Sequence, residues 1–235
     1  IFQEPMSALN PVMKIGEQVA EGLRIHENIS KADALKAAER MLERVGIPNA
    51  AERMRAYPHQ LSGGQRQRVV IAMALICKPQ LIIADEPTTA LDVTLQTQIL
   101  ELLQELQRET GAAILFITHD LGLVKKFCQR TYVMYAGQIV ESGATADMFA
   151  APKHPYTRAL LGSRPSDATQ PKSLLPSIEG RLPTFWEWPK GCRFAPRCPF
   201  AREACLMPQV LTETPAGAVR CCRYPQYLNE LKEIK

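Results

Sequence analysis

Two acids, Asp85 and Glu86, follow directly on the apolar run Leu81-Ile82-Ile83-Ala84. Such a run is the pattern of a buried parallel strand, and open α/β sheets deliver functional groups at the carboxyl ends of their strands. An aspartate there can hold Mg²⁺, directly or through water, and a neighbouring glutamate can position or deprotonate an attacking water. Two surface acids opening a loop are the plain alternative, but apolar residues leading straight into them place them at the end of a sheet. His119 closes a second apolar run, "AAILFITHD". It could meet a phosphate, or it could be a capped loop residue. A third group is "LSGGQRQR", Leu61–Arg68. Ser62, Gly63, Gly64 and Gln65 stand at the start of an apolar helix, where unpaired N–H groups and the positive end of the helix dipole favour anions. An ordinary helix cap is the competing reading, and two glycines with a glutamine are more than a cap requires.

These groups need elements to hold them. Helical character follows Pro11. Ser30 with Asp33 has the form of an N-cap for a helix carrying Ala34, Ala38, Met41, Leu42 and Val45, which Gly46 ends. A helix from Gln65 to about Cys77 is broken by Pro79. "QLIIAD" is a strand, "LQTQILELLQELQRET" an amphipathic helix ended by Gly111, and "AAILFITHD" a second strand. That βαβ order predicts a parallel pair in a sheet covered on both faces. "RTYVMYAGQIVESG" predicts two antiparallel strands with a turn at Ala136–Gly137, and the class is α/β. After about Ala150 comes a short helix in "APKHPYTRALL", then a linker-like stretch rich in Pro, Ser and Gly as far as Gly191.

The 235 residues are 46% hydrophobic and 22% charged, with a net charge of +4, so a packed core is expected and the mild basicity does not point to nucleic acid. The longest apolar run, "VVIAMALIC" from Val69, falls well short of the roughly 20 residues of a membrane-spanning helix.

Taken together, the motifs resemble those of the ATP-binding-cassette (ABC) ATPases. "LSGGQ" is similar to their signature motif, "LIIADEP" to their Walker B strand, "TALD" to their D-loop, His119 to their switch histidine, and Gln3 in "IFQEPMSALNP" to their Q-loop glutamine. Five motifs in order make a chance match improbable, where a lone LSGGQ would not. "HPYTRALL" and "GCRFAPRCPFAREAC" are similar to the C-terminal extension of the oligopeptide and dipeptide importers, a branch shared with nickel and antimicrobial-peptide importers. The resemblance implies a partial P-loop NTPase domain over residues 1–149, with a helical subdomain at about 12–78, and a small irregular cysteine-rich extension over 150–235. It implies ATP and Mg²⁺ as ligands, with Asp85 and Gln3 at the metal, Glu86 as general base, His119 and Gln3 at the reacting phosphate, and Asp92 communicating across a dimer. Ser62, Gly63, Gly64 and Gln65 would face ATP held by a partner subunit.

No glycine in the chain is followed by lysine, so the Walker A loop is absent from this sequence. The expectation is an N-terminally truncated subunit that, alone, neither binds ATP tightly nor hydrolyses it. The implied partners are a second ABC ATPase, like or paralogous, two transmembrane permease subunits and, indirectly, an extracytoplasmic binding protein, with no nucleic acid. The implied location is the cytoplasmic face of the membrane. The competing classes are a soluble ABC ATPase of DNA repair, chromosome structure or translation, and an inactive interaction remnant.

Cys77 and Cys128 lie in apolar helical patterns and read as small hydrophobes. The other five cysteines crowd the tail. Cys192, Cys198 and Cys205 are spaced more widely than the close pairs of zinc sites, and a disulfide framework suits a reducing compartment poorly. Four thiolates can hold an iron–sulfur cluster, and free thiols in a packed tail are the alternative. The resemblance favours a [4Fe–4S] cluster on Cys192, Cys198, Cys205 and Cys221, since Cys222 falls where relatives often carry histidine.

Overall fold

A computed structural model describes residues 1–89, 91–163 and 176–233, with side chains described to residue 230. Ala90, within the expected D-loop, and residues 164–175 of the expected linker lie outside the described residues. The chain forms two compact units, Ile1–His119 and Asp120–Lys235.

The first unit opens with helices α1 (Pro5–Ala8), α2 (Ile15–His26), α3 (Lys31–Arg44) and α4 (Ala50–Arg53). The predicted cap of α3 is present: Ser30 Oγ accepts from the Asp33 N–H at 3.1 Å. Gly46, at φ +76°, ends the helix as its N–H and that of Ile47 return to the carbonyls of Glu43 and Leu42. Helix α5 (Gly63–Leu75) buries Val69, Val70, Ile71, Ala72 and Leu75, apolar on nearly every side, which makes it the central helix of the unit. Around it pack α2, α1 and α3, through Val19, Leu23, Ala38 and Leu42. Cys77 packs, partly buried, against this core.

Strand β1 (Leu81–Asp85), helix α6 (Val93–Thr110) and strand β2 (Ala113–Ile117) follow. The strands pair in parallel, Leu81 opposite Ala113 through Asp85 opposite Ile117. Gly111, at φ +70°, ends α6. Ile1 lies along β1, its carbonyl accepting from the Asp85 N–H at 2.9 Å. The apolar runs predict a sheet covered on both faces, and here the two faces differ. Ile82 and Ala84 are buried, whereas Leu81, Ile83, Leu115 and Ile117 are about half exposed because no layer among the described residues covers that side.

The second unit contains α7 (Leu121–Phe127), β3 (Arg130–Tyr135), β4 (Gln138–Ala144), α8 (Thr145–Ala150) and α9 (Pro155–Gly162), then short 3₁₀ turns, β5 (Thr212–Thr214), β6 (Gly217–Val219) and α10 (Tyr227–Glu233). The β3–β4 hairpin turns at Ala136–Gly137, both at positive φ, as a two-residue turn matching strand twist requires. The tail is less irregular than expected. β6 pairs antiparallel with β4 and β5 with β6, giving the order β3-β4-β6-β5. Gly217 permits this, since a Cβ there would stand 2.0 Å from the Ser142 carbonyl. The expected boundary at 149/150 therefore falls inside the second unit. Val133, Tyr135, Val140, Met148 and Phe194 form its core.

Among the described residues no helix is long and apolar enough to cross a membrane.

Candidate active site

The carboxyl ends of β1 and β2 place Asp85, Glu86 and His119 on one edge of the first unit. The Glu86 N–H donates to the Ile117 carbonyl at 2.9 Å, so the parallel ladder itself sets the loop that follows. The Glu86 backbone then turns through φ +45°, an uncommon conformation for a residue with a Cβ and one that clusters at functional sites.

Three side chains reach the Glu86 carboxylate. Gln3 Nε2 donates to Oε2 at 2.8 Å, Thr89 Oγ1 donates to the same oxygen at 2.8 Å, and His119 Nδ1 lies 2.9 Å from Oε1. The hydrogen bonds from His119 and Thr89 hold this carboxyl below the usual glutamate range, against a smaller desolvation effect. Gln3, Glu86 and His119, distant in sequence, are thus one cluster. Asp85 is exposed at the end of β1. It and Gln3 are hard oxygen donors of the kind Mg²⁺ takes. Among the described residues no three His, Cys, Asp or Glu side chains form a ready metal site, and Mg²⁺ needs none, because it keeps waters and shares phosphate oxygens.

A second group forms where α5 and α6 begin. Ser62 caps α5: its Oγ accepts from the Gln65 N–H at 3.3 Å, while Gln65 Oε1 accepts from the Ser62 N–H at 3.0 Å. Gln65 therefore belongs to the cap, contrary to the expectation that it exceeds one. The glycines are the surplus. Nothing lies within 4 Å of a Cβ added at Gly63, so its backbone is open to a ligand. A Cβ at Gly64 would meet Leu95 at 3.2 Å. Leu95 is in turn fixed by Asp92, whose Oδ1 accepts from the Leu95 N–H at 2.9 Å and caps α6. Ser62, Gly63, Gly64, Gln65 and Asp92 are joined by these contacts.

The five tail cysteines converge in the second unit. Cys192 and Cys198 pack against its core, and the Cys192 N–H donates to the Cys205 carbonyl at 2.8 Å. The Cys205 and Cys222 sulfurs lie 3.9 Å apart, with Cys222 exposed. Burial raises the thiols of Cys192, Cys198, Cys221 and Cys222, Cys198 to about 11 and Cys221 to about 12. The donor chemistry fits an iron–sulfur cluster, but among the described residues no three thiols stand in ligating geometry.

Sequence reasoning missed Thr89, whose only signal is its place three residues after Glu86. It also missed a buried lock in the second unit. Glu141, wholly buried, accepts from the N–H groups of Lys153 and His154, each at 2.8 Å. Tyr227 donates to the Lys153 carbonyl at 2.8 Å and Lys153 Nζ to that of Ala216 at 2.9 Å. The Lys153–His154 backbone thus ties the start of α9, and through Tyr227 α10, to β4.

Comparison with known proteins identifies the family. The ABC transporter family model matches residues 1–89, and the model "Oligopeptide/dipeptide transporter, C-terminal region" matches residues 140–205. A Brucella melitensis protein bearing the name peptide import ATP-binding protein is 53% identical over 233 residues, covering 96% of this chain and 69% of its own length. The oligopeptide transport ATP-binding protein OppD of Escherichia coli is 51% identical over 225 residues, covering 96% of this chain and 66% of OppD. Among solved structures, cbiO1 of Clostridium perfringens, part of an ABC transporter complex, superposes with a TM-score of 0.56 at 32% identity, over 64% of this chain and 58% of cbiO1. The chain therefore belongs to the ABC transporter ATPases, in their oligopeptide/dipeptide branch.

Proposed function

We propose that this chain carries the carboxylate, switch and signature portion of an ATP-hydrolysing subunit that powers peptide import across a membrane. The observation that carries the reading is the Glu86 cluster. One carboxylate at the end of a parallel strand pair is held in strained backbone and oriented by Gln3 and His119. Glu86 acts as general base toward the attacking water. Asp85 and Gln3 would hold Mg²⁺, which when bound would supply charge neutralisation at the phosphate. His119 and Gln3 contact the phosphate end of the nucleotide.

Ser62, Gly63, Gly64 and Gln65 offer the donors of the α5 N-terminus to ATP on a second ATPase subunit, like or paralogous, and Asp92 communicates across that interface. The open approach at Gly63, where an added Cβ would meet nothing within 4 Å, supports such an arrangement. The subunit sits on the cytoplasmic face of the membrane with two permease subunits and, indirectly, an extracytoplasmic binding protein. The parts are residues 1–149 as the partial ATPase domain and 150–235 as the extension. A [4Fe–4S] cluster on Cys192, Cys198, Cys205 and Cys221 is supported by the convergence of the tail thiols. Iron and sulfide analysis after anaerobic purification tests it, and iron at background rejects it.

The function is tested by ATP-dependent uptake of peptides into vesicles bearing the complete transporter. Co-purification with nucleic acid instead of membranes would favour a soluble ABC ATPase.

A further inference from the structure

The acceptor positions of Glu86 are shared among three donors of different standing. Gln3 and His119 reach the carboxylate from separate segments, 83 and 33 residues away in sequence, and both are assigned above to the nucleotide. Whatever they contribute at the phosphate, they contribute at the expense of Glu86. Thr89 is different. It lies on the same turn, its N–H donating to the Glu86 carbonyl at 3.1 Å while its Oγ1 donates to Oε2 at 2.8 Å. The next turn is anchored in its turn: Gln96 of α6 donates to Thr88 Oγ1 at 3.1 Å, with Thr88 buried. The Thr89 hydroxyl is thus fixed relative to the Glu86 backbone, and that backbone is itself held at φ +45°.

We propose that Thr89 is a positioning residue for ATP hydrolysis: its hydroxyl holds one oxygen of the Glu86 carboxylate through the cycle, leaving the other to face the attacking water once Gln3 and His119 turn to the nucleotide. The proposal rests on Glu86 being the base. Thr89 touches neither substrate nor metal in this role and acts only through Glu86. A positioned group contributes to rate only if its geometry is kept, so loss of the hydroxyl lowers turnover and spares binding.

The test compares Thr89→Val, which keeps the shape and removes the donor, with Thr89→Ser, which keeps the donor, in the complete ATPase. Thr89→Val is expected to lower kcat about tenfold or more, the usual effect of losing a hydrogen bond to a charged group, with KM for ATP within about twofold. Thr89→Ser is expected to keep at least about half of the wild-type kcat. In a Glu86→Gln background, Thr89→Val is expected to cause no further loss, because the two residues act as a unit. Wild-type kcat in Thr89→Val overturns the proposal. So does equal impairment of Val and Ser, which would mark a packing role, or an undiminished loss in the Glu86→Gln background. Glu86→Gln alone reads the base assignment separately. A slow Glu86→Gln beside a normal Thr89→Val removes the Thr89 role and leaves the base in place.

Discussion

Replacing Glu141 by glutamine tests the buried lock of the second unit. The carboxylate is fully buried and both oxygens are used, Oε1 by the Lys153 N–H and Oε2 by the His154 N–H, each at 2.8 Å. Glutamine offers one oxygen. Its amide nitrogen would face a second N–H, donor against donor. The loss is one charge-assisted hydrogen bond, worth about 1.5–3 kcal/mol, and the penalty for an orphaned buried N–H, about 1–3 kcal/mol. The sum, roughly 2.5–6 kcal/mol, is a large share of the 5–15 kcal/mol typical of a whole domain. Trp186 and Trp188, the two tryptophans of the chain, lie in this unit, so their fluorescence in urea follows its unfolding. With a slope of about 1–3 kcal/mol per molar urea, the midpoint should fall by at least about 1 M. Glu213→Gln, at an exposed position of β5, is the control and should change stability by less than about 0.5 kcal/mol. Equal midpoints for the two variants would refute the view that Glu141 holds α9 and α10 to the sheet.

His154, buried beneath the same lock, has its pKa lowered by burial to about 4 from 6.5. The unfolded chain binds this proton first, so the stability from neutral His154 is complete above about pH 6.5 and is lost as pH falls toward 4, by up to about 3 kcal/mol. His154→Asn, which keeps an acceptor for the Tyr156 N–H, should flatten that part of the stability–pH profile. This chain alone should show no micromolar ATP binding in calorimetry. A helix end supplies about 0.3–2 kcal/mol toward an anion, where micromolar affinity needs about 8.

Much of the site was legible because its residues sit where local rules are strong. The apolar runs ending in Asp85–Glu86 and Ile117–His119 marked parallel strands, and Ser30, Gly46 and Gly111 marked helix ends as found. Ser62 with Gln65 also matches the pattern of a reciprocal cap, the use to which the fold puts the glutamine. The Thr89 contact was hidden, because a threonine in a loop carries no periodicity and its partner depends on the unusual φ of Glu86. Strands β5 and β6, three residues each, are too short for alternation to register, so their pairing with β4 and the resulting division of the chain depended on long-range contacts. The continuous hydrophobicity of β1 pointed to two covered faces, of which these residues supply one.

Single-turnover ATP hydrolysis by the complete subunit carrying Glu86→Gln bears most directly on the central assignment. The amide keeps the shape of the side chain and cannot take a proton from water. ATP should remain bound while hydrolysis slows by about 10²–10⁴-fold. Wild-type turnover, or loss of ATP binding together with turnover, would contradict the role given to Glu86.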